Sequence, residues 1–206
     1  MLPTIQTHPK FHPLTPQILL GHLTQQPLTE ADLTADFLFL AAAITLLSGV
    51  MEIDGSIEPE ESDHLHTVIN ACVDPKSPLY ALVQDLVLGV CTHQVYLDPQ
   101  QFLSLADTLD ASARLLLLGL GYTMATVDGH FNLREQLYLR GMAHRLQVLP
   151  RHQLVLEAIA TQQPIHDTET LLDLFLLLHP DRFQQQAILR TIARTIHSNL
   201  PEPALP

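Results

Sequence analysis

The chain is 206 residues long, with 22 Asp and Glu against 10 Lys and Arg and a formal charge of -12. That balance excludes a protein that tracks nucleic-acid phosphates or binds an anionic membrane surface directly, since both need clustered Lys and Arg. Apolar residues make up 47% and charged residues only 16%, enough for a sizeable core and too apolar for intrinsic disorder.

Five of the fifteen prolines fall in the first 27 residues, so residues 1-28 read as a Pro-rich arm carrying one short helix around Gln17 to Thr24. Thr29-x-x-Asp32 opens a helix expected to run to about Ile53. Its apolar run from Phe37 to Met51 falls short of the about 20 residues a spanning helix needs, and reads as a buried core helix. Glu58-Pro59-Glu60-Glu61 opens a second helix, ending near Val73 ahead of Asp74-Pro75. Pro78 to about His93 makes a third and Pro99 to about Leu109 a fourth. Asp110 opens a fifth ending near Val127, and Asn132-x-x-Glu135 a sixth ending near Val148. Pro150 to Thr161 is expected to be helical, followed by helices from Asp167 to Leu178 and from Asp181 to Ser198. No stretch alternates with the period of two that strands require. The fold class is all-α, a compact bundle of seven to nine helices. Residues 29-149 form its core, residues 150-200 pack on that core, and residues 201-206 are a tail.

The N-terminus lacks a charged segment followed by an apolar one, so no secretory signal is expected. Cys72 and Cys91 have no CxxC partner, which favours two free buried thiols over one disulfide. The expectation is a soluble cytoplasmic protein.

The chain repeats itself. Met51-Glu-Ile-Asp-Gly-Ser-Ile-Glu-Pro-Glu-Glu61 aligns with Ala125-Thr-Val-Asp-Gly-His-Phe-Asn-Leu-Arg-Glu135 at an offset of 74, sharing [IV]-D-G-x-[IF]-x-x-x-E. At that offset Leu65, Val68, Ile69 and Cys72 correspond to Leu139, Met142, Ala143 and Leu146, one apolar stripe of a helix. Two helix-loop-helix units packed about a pseudo-two-fold axis are expected.

Local structure alone explains the motif: Asp-Gly ends a helix, Ile57 or Phe131 turns inward, and Glu58 or Asn132 caps the next helix with Glu61 or Glu135 at the capping-box position. The sharper reading is a divalent cation such as Ca²⁺, because the spacing matches the second half of an EF-hand loop. In that frame the first unit offers Glu52, Asp54, Glu58 and Glu61, and the second Thr126, Asp128, Asn132 and Glu135. Val50 and Met124 stand where the leading Asp would be, which rules out an ordinary calcium hand.

A long apolar helix, this turn and an amphipathic helix, twice over, resembles the TerB-like tellurite-resistance family across about Asp36 to Leu149. The resemblance implies an all-helical, internally symmetric scaffold in stress-response assemblies, also found within membrane-anchored J-domain co-chaperones. It implies divalent-metal binding at Asp54, Glu61, Asp128 and Glu135, with Glu52 and Glu58 as neighbours. The less acidic second loop, the Pro-rich arm and the helices beyond Leu149 depart from the family pattern.

Other signals are weaker. His179-Pro180-Asp181 matches the J-domain tripeptide, yet the helix before it is acidic and apolar where a J-domain helix is basic. Twelve His come without H-E-x-x-H, and His64 and His66 point to nearly opposite sides of a helix. Gly119-Leu-Gly121 reads as close helix packing, and no nucleophile motif or phosphate loop is present. The first expectation is a non-enzymatic adaptor that binds another protein, reaching a membrane only through a partner. The alternatives are a metal-dependent enzyme or metal buffer built on the loop carboxylates, and a co-chaperone using His179 and Asp181.

Overall fold

The computed structural model describes residues 15-55 and 57-202. Ten α-helices and three 3-10 turns account for the regular structure of the described residues, with no strand among them. Helix α1 spans Pro16–Thr24, α2 Ala35–Glu52, α3 Pro59–Cys72, α4 Pro78–His93 and α5 Pro99–Ala106. Helix α6 spans Ala111–Met124, α7 Leu133–Arg145, α8 Pro150–Ala160, α9 Thr168–Leu177 and α10 Ala187–Ser198.

The centre of the bundle is the α2–α6 pair, which makes the most extensive helix-helix contact. Every residue from Phe37 to Met51 is buried, because α2 is apolar on all sides and other helices surround it. It is the one helix among the described residues long and apolar enough to cross a membrane, and its apolar surface is spent inside the bundle. Gly121 lets α6 approach α7, since a Cβ there would lie 2.6 Å from Leu139 Cδ2, as the close packing expected of Gly119-Leu-Gly121 requires. Helix α2 touches both α3 and α7, and α6 touches both α7 and α3.

The outer helices follow from amphipathic patterning. In α10, Ile188, Leu189, Ile192, Ala193 and Ile196 face inward at helical spacing against α6 and α3. Residues 1-14 of the expected arm lie outside the described residues. From Pro16 on, α1 is docked on α4 through Leu19, Leu20 and Leu23, all buried.

Two expected helices divide. The Thr29–Asp32 capping box closes a separate 3-10 turn, Glu30–Asp32, in which Asp32 Oδ2 accepts the Thr29 N–H at 2.7 Å. Thr34 is itself a good cap and accepts the Phe37 N–H at 3.2 Å, so α2 starts there. The stretch from Asp181 to Ser198 splits into the 3-10 turn Pro180–Phe183 and α10, because Phe183 turns into the core and Gln186 is extended at φ -120°, ψ 95°. His179 caps that turn through Nδ1, which accepts the Asp181 N–H at 3.3 Å, and its ring packs edge-on against His197. The contacts of the His-Pro-Asp tripeptide are those of a helix start.

Candidate functional site at the paired Asp-Gly corners

The two Asp-Gly corners share a backbone turn, but Phe131 packs on the core and against Tyr122 whereas Ile57, expected to turn inward, is exposed. Gly55 and Gly129 hold φ of +91° and +83°, the left-handed region where a side chain would strain the backbone. The chain then re-enters a helix through a capping carboxylate. Glu61 Oε2 accepts the Glu58 N–H at 3.0 Å, and Glu135 Oε2 accepts the Asn132 N–H at 2.8 Å. Asn132 completes its box, Oδ1 accepting the N–H groups of Arg134 and Glu135 at 2.9 and 3.0 Å.

The corners meet. Asn132 Nδ2 donates to Asp54 Oδ2 at 3.0 Å, and Arg134 Nη1 donates to the Asp54 carbonyl at 2.9 Å. Asp128 Oδ1 accepts the His130 N–H at 2.8 Å within its own loop. Glu61 and Glu135 are each only 5% exposed, although they are carboxylates. Burial is the main cause that raises the pKa of both, making each the weaker acid. The negative charges of Asp54 and Asp128 act on each, and that of Glu61 acts further on Glu135, whose carboxyl is pushed up to about 7. Four of the six candidate ligands thus occupy one electrostatic neighbourhood.

The other two stand apart. Glu58 is exposed at the start of α3, where its charge reaches Glu61. Glu52 faces the α4 side, where its charge acts on the Cys91 thiol and the Tyr96 hydroxyl. Thr126 Oγ1 donates back to the Tyr122 carbonyl at 3.1 Å, a helix-end contact. Among the described residues no three His, Cys, Asp or Glu side chains converge closely enough to hold a metal ion. The capping bonds explain part of this, since each buried Glu has committed Oε2 to its own helix.

Both cysteines are free. Burial pushes the Cys72 thiol up to about 12, with Asp36 adding to the shift, so it is a poor nucleophile. Residue-by-residue reading missed Arg134 as the strap between the corners. A basic residue directly after a capping Asn is an everyday surface feature, and only the fold brings it to Asp54.

An all-α bundle centred on two buried helices, each leading through an Asp-Gly corner into a capped amphipathic helix, defines an all-helical class with paired Asp-Gly corners. A family model described as "Tellurite resistance protein TerB" matches residues 40–154, from α2 into α8. The chain therefore belongs to the TerB family. No curated protein and no solved structure matches it.

Proposed function

We propose that the chain is a non-enzymatic helical adaptor whose acidic corners receive a basic segment of a partner protein, with optional binding of a divalent cation such as Ca²⁺. For that cation backbone carbonyls and water would have to complete the ligand set, because no three carboxylates converge among the described residues. One observation carries this reading: the 3.0 Å Asn132–Asp54 bond joins the two acidic corners, with the buried carboxyls of Glu61 and Glu135 at the helix starts behind them. Like charges held that close favour either a proton or an external cation. The Asn132–Asp54 bond holds both corners together, so a cation bound at one would be felt at the other. The overall charge of -12 supports a basic partner over an acidic one. The setting this implies is cytoplasmic, with membrane contact made only through the partner.

Calorimetric titration of metal-stripped protein with Ca²⁺, Mg²⁺ and Zn²⁺ tests the cation, beside Asp54→Asn and Asp128→Asn. The expected result is saturable binding by the wild type that both substitutions weaken. Heat silence from folded protein would remove the cation half. Partner capture that survives charge reversal at both corners would remove the adaptor half.

A further inference from the structure

Three arginines gather at a cavity away from the Asp-Gly corners. Only ten residues of the chain are Lys or Arg, and three of them, Arg114, Arg151 and Arg182, line one cavity of about 660 Å³. It opens between the start of α6, the α7–α8 junction, α9 and the turn after it. A volume in that range suits a single small organic molecule.

The charges there are poorly compensated. Asp173 is the one carboxylate in the lining, and Arg151 Nη2 holds its Oδ2 at 3.0 Å. Among the described residues Arg114 meets no carboxylate: its Nη atoms donate to the carbonyls of Leu146 and Asp107 and to Gln147 Oε1, and its buried Nε has no partner there. Arg182 forms no salt bridge among the described residues. Three guanidinium groups therefore face one carboxylate.

Two further features point to an anion. His152 is only 5% exposed, and its buried Nε2 has no hydrogen-bond partner among the described residues. Asp173 Oδ2 is 3.8 Å from that nitrogen, beyond hydrogen-bond reach. His152 also sits in the first turn of α8, which Leu149 begins without a side-chain cap. The open N–H groups of a helix start and its dipole both favour negative charge. The rest of the wall is apolar: Leu115 lies buried in it, and Leu149 and Leu176 stand 50% and 58% exposed.

We propose that this cavity binds a small amphiphilic anion, with a carboxylate or phosphate head against Arg114, Arg182 and His152 and an apolar body along the leucines. Arginine suits such heads because its fork of N–H donors pairs with two oxygens at once. The desolvated His152 nitrogen supplies one further donor where water is excluded.

The test titrates the whole chain with decanoate, decyl phosphate, decanol and inorganic phosphate below micellar concentrations. Binding is followed by calorimetry and by the His152 ring proton resonances. Decanoate or decyl phosphate should bind saturably and shift those resonances, and the tighter of the two names the head. Decanol and inorganic phosphate should each bind at least about tenfold more weakly, lacking head or body. Arg182→Gln, at an exposed position, should weaken the anion about tenfold with the fold intact, while Arg194→Gln on the exposed side of α10 should not. Three results would overturn the proposal: neither anion binding the folded wild type, decanol or inorganic phosphate binding as tightly, or Arg182→Gln leaving affinity unchanged.

Discussion

Asn132 donates its side-chain amide to the carboxylate of Asp54, 78 residues earlier, at 3.0 Å. The same side chain caps α7 through Oδ1, so one residue both starts a helix and joins the two corners. Removing it combines two losses. Asn132→Ala should lower stability by roughly 2 kcal/mol, about half from the cap and half from the bond to a charged acceptor. Asn132→Asp separates them, because Asp caps as well as Asn but has no donor and sets a second carboxylate against Asp54. It should cost about 1 kcal/mol at neutral pH, from the lost bond and the added like charge. Urea unfolding of both variants at pH 7 reads the two losses. Asn132→Asp matching the wild type at pH 7 would mean the contact between corners contributes nothing.

Much of this corner is legible in the sequence, because its chemistry is local. Gly after Asp, a cap three residues on and a Glu at the third helical position all act within a short stretch of backbone. The Asn132–Asp54 bond and the Arg134 strap are long-range, and no spacing rule brings them together. The same distinction explains the divided helices. Thr29 and Asp32 do form a capping box, but Thr34 competes as a second cap five residues later and takes α2. Phe183 breaks the last predicted helix because the core has a place for its ring.

Stability should depend on pH through Glu135. Its carboxyl lies near 7 in the folded protein against an ordinary 4.5, so the folded state binds more protons between those values. The stabilisation from its protonated form is complete below about 4.5 and lost as pH rises through about 7. Glu135→Gln keeps an acceptor for the Asn132 N–H and cannot ionise. Relative to wild type the variant should gain roughly 1–3 kcal/mol between pH 4 and pH 8. Burial lowers the basicity of His64, His152 and His197, giving an opposite slope, but all three are present in both proteins and cancel in the difference. Parallel unfolding curves at pH 4 and pH 8 would show that Glu135 titrates normally.

Two glycines distinguish backbone contacts from side-chain contacts. A Cβ on Gly89 would overlap the carbonyl oxygen of Leu23, where the end of α1 rests on α4, and a backbone cannot step aside. On Gly119 it would stand 3.3 Å from Ile196 Cγ2, which a small side-chain shift relieves. Gly89→Ala should therefore cost about 1–3 kcal/mol and expose the amides of Leu19, Leu20 and Leu23 to hydrogen exchange. Gly119→Ala should fall within about 1 kcal/mol of wild type, since the gain in helix propensity offsets the crowding. Equal melting temperatures for the two variants would contradict the close approach of α1 to α4.

Glu157 shows why the attachment of α8 could not be read from sequence. Its carboxylate collects four donors from two other helices: Tyr122 from α6 at 3.2 Å, Gln136 from α7 at 2.7 Å, and Arg140 from α7 through Nε and Nη2 at 3.1 and 2.7 Å. Burial alone would raise this carboxyl, but the hydrogen bonds from Arg140 and Gln136 outweigh it and hold it below the usual range. The charged form is therefore the one that ties α8 to the core. Glu157→Ala should cost roughly 2–3 kcal/mol, because it strands the buried Tyr122 hydroxyl as well as breaking the Arg140 fork. Tyr122→Phe should cost about 1 kcal/mol, and adding it to Glu157→Ala should cost less than the sum, since the alanine variant has already lost that bond. Because the folded carboxyl is the stronger acid, this contribution is present above about 4.5 and fades as pH falls below it. Full additivity in the double-mutant cycle would show that Tyr122 and Glu157 stabilise the bundle independently.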